Sequence, residues 1–96
     1  MLRILMPALM LATPALSSSE EAWAEFRSDV EAKCLALQAQ FGSRGETAIE
    51  VNPFGSDKFG AAILDTTLAD GSHERSICIY DKQAKTAELT APFDED

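Results

Sequence analysis

His73 is the only histidine of this chain, and it stands among Asp70, Ser72 and Glu74. A serine, a histidine and a carboxylate are the parts of a hydrolase. The imidazole takes the hydroxyl proton and the carboxylate orients the ring. Such groups must converge in space, whereas these four simply follow one another through the turn signal Asp70-Gly71. They read as a solvated turn. The 16 acidic residues offer many carboxylate pairs for glycoside hydrolysis. That chemistry needs two carboxylates across a cleft, and no spacing singles out a pair. Two cysteines far apart and one histidine do not make a zinc site. No catalytic residue, cofactor or metal is expected, and the chain does not read as an enzyme.

Cys34 and Cys78 lack the Cys-x-x-Cys spacing of a redox pair, so their role depends on the compartment. Met1-Leu2-Arg3 is a short basic start, and Ile4 to Leu16 carries no charge. Ala15-Leu16-Ser17 then places small residues where a signal peptidase reads them. The apolar run is shorter than the roughly 20 residues a membrane-spanning helix needs, and Pro7 and Pro14 interrupt it. Residues 1–17 are thus expected to be a signal peptide, 18–93 one domain, and 94–96 a disordered acidic tail. The expected location is periplasmic or secreted. In an oxidising compartment two cysteines read as one disulfide. Closing a loop of about 45 residues contributes about 4 kcal/mol in the chain-entropy picture. A domain of about 80 residues, whose core alone is marginal, gains from such a staple.

The chain carries a formal charge of −8, and removing residues 1–17 takes Arg3 with them and leaves the rest one unit more negative. Acidity of this size argues against nucleic acid and anionic membranes as partners. Cleavage of the leader would leave no membrane segment.

The elements that must position any functional group follow from periodicity. Ser18 and Glu21 have capping-box spacing, with Glu20 and Glu21 at the positive end of a helix dipole. Trp23, Phe26, Val30, Cys34, Leu37 and Phe41 then recur on one helical face, and Gly42 is a natural stop. Thr47 to Val51 alternates as a first strand. Asn52 to Lys58 must turn, because Pro53 denies a ladder donor and Gly55 permits positive φ. Phe59 to Leu68 forms a second strand, whose Gly60, Ala61 and Ala62 leave room for Trp23 or Phe26 to pack close. After the Ala69–Ser72 turn, a third strand runs from about Glu74 to Tyr80, and its Ser76–Lys82 stretch reads as buried on both faces. The Asp81–Lys85 turn and a fourth strand, Thr86 to Thr90, complete the domain. The expected fold is α+β: one long N-terminal helix packed on a four-stranded antiparallel meander, with one disulfide.

If Cys78 meets the helix, Ile77 and Ile79 face the other way. Nothing else in the chain is obviously free to cover them. Pro53, Phe54, Gly55, Ile77 and Ile79 are therefore the candidate partner surface.

Three blocks carry a family resemblance. They are Trp23-x-x-Phe26-x-x-x-Val30-x-x-Lys33-Cys34, then Asn52-Pro53-Phe54-Gly55-Ser56-x-x-Phe59-Gly60-x-Ala62-Ile63, then Ile77-Cys78-Ile79-Tyr80-Asp81-Lys82. Together they resemble a family of small exported alphaproteobacterial proteins of unknown function. The resemblance implies export to the periplasm and paired cysteines, and it brings no activity. The expectation is a non-catalytic binding or structural module whose partner is an unidentified periplasmic protein or a second copy. The alternative is an inhibitor of a basic lysozyme or protease that inserts the Pro53-Phe54-Gly55 loop, steered by charge.

Overall fold

The computed structural model describes residues 19–41 and 45–93. The expected signal peptide, Gly42 and the acidic tail lie outside the described residues. Helix α1 runs Glu20–Gln40, and strands β1 (Gly45–Val51), β2 (Phe59–Leu68), β3 (His73–Asp81) and β4 (Thr86–Leu89) follow in chain order. The strands form one antiparallel sheet in the order β1-β2-β3-β4. The α+β meander read from periodicity is the fold.

Helix α1 begins one residue later than the capping-box spacing indicated. Ser19 rather than Ser18 is the N-cap: its backbone is extended, and its hydroxyl accepts from Ala22 N at 3.0 Å. The third helical residue is then Ala22, so Glu21 completes no capping box. Both glutamates still occupy the first turn, where the helix dipole favours them.

The core lies where the middle of α1 crosses the sheet. Val30 and Cys34 are buried from the helix, and Ala62, Leu64, Cys78 and Tyr80 from β2 and β3. Phe26, Leu37, Ile49, Val51, Ala87 and Leu89 pack around them. At about 1.5 Å per residue the helix is longer than the sheet is wide, so its ends overhang. Trp23, expected in the core, is only half-buried, and Phe41 is 71% exposed.

Cys34 and Cys78 are joined by a disulfide, with Cα atoms 5.9 Å apart and both residues fully buried. It staples the helix to the third strand, as the spacing of an apolar helical stripe and a strand face implied. Gly60 shows why β2 begins with small residues. A Cβ built there would lie 2.8 Å from Phe26 Cζ and 3.2 Å from Val30 Cγ2. Phe26, rather than Trp23, fills the space that Gly60 leaves open.

Candidate functional site

The three sequence blocks meet at one end of the domain, around Lys82. The Asn52–Lys58 loop is shaped from within, since Asn52 Oδ1 accepts from Gly55 N at 2.8 Å and Gly55 has φ +70°. It is then tied to the rest of the protein by two cations. Arg27 donates to Pro53 O at 3.1 Å, and Lys82 Nζ donates to Phe54 O at 2.9 Å and Ser56 O at 2.6 Å. The Lys82 ammonium also lies 5.2 Å from the Trp23 ring centroid and 5.0 Å from that of Phe26. Phe54 stands edge-on to Trp23 at 4.9 Å, and Phe26 edge-on to Tyr80 at 5.8 Å. A cation among ring faces and carbonyls is held by their partial negative charge. The loop is thus latched to α1, and Phe54 remains 51% exposed at its tip.

Beneath the latch, Tyr80 donates its buried hydroxyl to Asp29 Oδ2, which also accepts from Lys33 Nζ at 3.1 Å. Burial, and then the Asp29 carboxylate, push the Tyr80 pKa up to about 12. The Tyr80 hydrogen bond, followed by that of Lys33, holds the Asp29 carboxyl below its ordinary value. Lys33 also donates to Lys85 O at 2.9 Å, at the turn before β4. These contacts lock α1 to β3, and they leave Asp29 engaged rather than poised for proton transfer.

The other exposed region is the outer face of the sheet. Ser76, Cys78 and Tyr80 point to the core, so the Ser76–Lys82 stretch is buried on one face and not on both. Ile77 is half-buried and Ile79 is 40% exposed. Register brings them opposite Ile63 and Ala61 of β2, and Ile63 is 38% exposed. Phe59, 44% exposed, continues the row toward the loop end. Glu50 flanks it across β1 from Ile63, and Glu88 across β4 from Ile79. Farther along, Asp65 lies opposite Arg75, and this half of the face is polar. An antiparallel sheet with a solvated face normally alternates apolar-in and polar-out. Here half of the outer face breaks that rule.

Past Leu89, where β4 ends, the chain still runs beside β3 with a shift in register. Thr90 N donates to Ile77 O at 2.9 Å and Phe93 N to Arg75 O at 2.8 Å, so one extra residue is accommodated near Pro92. The Thr90 hydroxyl accepts from Ile77 N at 3.0 Å, which keeps the centre of β3 fully bonded.

The residues of the hydrolase reading do not converge as a triad. Ser72 Oγ donates to Asp70 at 2.6 Å, and His73 Nδ1 lies 2.8 Å from Asp65 on the neighbouring strand. Hydrogen bonds from Ser72 lower the Asp70 pKa, which is the chemistry of a turn. Among the described residues no group of three or more His, Cys, Asp or Glu side chains could hold a metal ion. No helix there is long and apolar enough to cross a membrane. Of the candidate partner residues, Pro53, Phe54 and Gly55 sit together in the latched loop, and Ile77 and Ile79 together on the sheet. Sequence reasoning missed Arg27 and Lys82 as the tethers. Their signal was a cation in each of two blocks that also carry aromatic residues.

No protein-family model matches the chain, and no curated protein or solved structure is significantly similar to it.

Proposed function

We propose that this chain is a non-catalytic binding module of the periplasm or another exported compartment, and that it takes a protein partner on the outer face of its sheet. The observation that carries the reading is the apolar row Phe59, Ala61, Ile63, Ile77 and Ile79, bordered by Glu50 and Glu88. Charge decides between occupants. A second copy would bring the same acidic border and a formal charge of −8 against its like. A partner whose apolar contact patch is rimmed by lysine or arginine meets complementary charge and is steered toward this face. The disulfide is compatible with an oxidising compartment outside the cytoplasm.

The inhibitor reading draws support from the acidity and from the fixed loop. The Phe54 ring is already engaged with Trp23, however, and the loop carbonyls with Arg27 and Lys82. Fewer groups are left there for a target than on the sheet.

The test places a photo-crosslinking amino acid at Ile79 and, as a control, at Glu31 on the exposed face of α1, in the cells that make the protein. The expected result is one discrete adduct with a basic protein from Ile79, weakened by added salt, and none from Glu31. An adduct of twice the chain's own mass, or equal adducts from both positions, would overturn the reading.

A further inference from the structure

The core side of the sheet carries a second feature, independent of the outer face. A cavity of about 560 Å³ opens at the C-terminal end of α1, between the helix, the far ends of β2 and β3, and the segment after β4. Its walls include Gln38, Phe41, Leu89 and Pro92, with Thr66 and Ser76 beneath them. This volume lies within the usual range for small-molecule sites, about 300–1,000 Å³.

The buried polar groups at the cavity differ in one respect. Thr66 is satisfied: Gln38 Nε2 donates to its hydroxyl at 3.0 Å, and the Thr47 hydroxyl lies 2.8 Å away. Ser76 is only 7% exposed, yet its hydroxyl has no hydrogen-bond partner among the described residues. A buried hydroxyl without a partner is costly, and native structures rarely leave one. The Gln38 amide uses its nitrogen on Thr66, which leaves its oxygen as a further acceptor at the cavity.

Electrostatics narrows the ligand. The cavity sits at the negative pole of the helix, whose last turn carries no basic residue. An anion is disfavoured there. Glu74, which also lines the cavity, adds to this and already has a partner of its own. A cation would have to compete for it or shed its water over Thr66 and Ser76, which offer only neutral hydroxyls. Phe41, Leu89 and Pro92 suit an apolar body. We propose that this cavity is a binding site for a small uncharged amphiphile that presents a hydroxyl or amide to Ser76 and rests its apolar part on Phe41 and Leu89.

Benzyl alcohol and benzoate, which share an apolar body and differ in the charge of the head, are the probes. Each is titrated into the oxidised protein while backbone amide shifts are followed. The expected result is a saturable shift for benzyl alcohol centred on Gln38, Thr66, Ser76 and Leu89, with benzoate at least tenfold weaker. Ser76→Ala should weaken the alcohol roughly threefold to tenfold, the range of one neutral hydrogen bond. Phe41→Ala, at an exposed position that leaves the core untouched, should weaken it as well and carries the test should Ser76→Ala fail to fold. Shifts centred elsewhere, no saturable shift up to the solubility limit of the alcohol, or equal binding of alcohol and benzoate would overturn the proposal. So would unchanged affinity in either folded variant.

Discussion

Tyr80 couples the fold to pH through one hydroxyl. It is the only tyrosine, so its ionisation can be followed by phenolate absorbance without ambiguity. Burial and the Asp29 carboxylate raise its pKa from 10.0 to about 12 in the folded chain. The folded state keeps the proton longer than the unfolded state does. The stabilisation is therefore complete below pH 10 and is lost as pH rises toward about 12. Asp29 acts at the other end of the scale. Its lowered pKa adds stability above the ordinary value of 3.8 that is lost as pH falls through its folded value. Tyr80→Phe should cost about 1–2 kcal/mol, since a hydrogen bond to a charged group is lost and the ring is kept. The alkaline fall in stability should vanish with it. Denaturant unfolding at neutral and alkaline pH checks both, and an unchanged alkaline limb would remove Tyr80 as its source. Gly60 is the other single-residue lever. Gly60→Ala drives a Cβ into Phe26 and should cost about 1–3 kcal/mol as overpacking, measured by the same unfolding.

At the scale of elements, the Asn52–Lys58 loop is fixed by groups far from it in sequence. Lys82→Met keeps the apolar stem against Trp23 and Phe26 but removes the donors to Phe54 O and Ser56 O. It should cost about 1 kcal/mol and speed hydrogen exchange at Gly55 and Ser56 while leaving the β2–β3 ladder protected. Exchange that stays slow in the loop would mean that Asn52 and Arg27 hold it without Lys82. The pattern of residues revealed the elements better than it revealed this latch. Alternation and the Asp70-Gly71 signal located β2, β3 and their turn, because strand period and turn chemistry are local properties. The helical stripe located α1 but overextended its core, since periodicity marks a face and does not say where the sheet ends. Trp23 therefore moved from the core to the latch, and Phe41 to the surface. The capping box failed by one residue because Ser18 and Ser19 are chemically equal candidates for the cap. The contacts of Lys82 with a loop 26 and 28 residues away had no local signature. The proposed partner surface was legible only in outline: the parity of Cys78 placed Ile77 and Ile79 outside, while the contribution of Ile63 needed the β2–β3 register.

At the scale of the molecule, a small domain is held by one covalent bond between its two layers. Cys34→Ser should destabilise it by about 2–4 kcal/mol, and reductant should lower the melting temperature of the parent but not of the variant. Equal melting temperatures for parent and variant would mean that the disulfide contributes nothing. The same layering leaves the molecule with two unlike sides. The covered face closes over the disulfide, and the outer face keeps an apolar row between two glutamates. Charge reversal tests whether this exposed row is a docking face. The crosslinker at Ile79 is used in the parent and in the double variant Glu50→Lys, Glu88→Lys, with melting temperature followed in both. The expected result is that the variant folds as the parent does and loses the adduct. An adduct of undiminished yield from the folded, charge-reversed variant would contradict it.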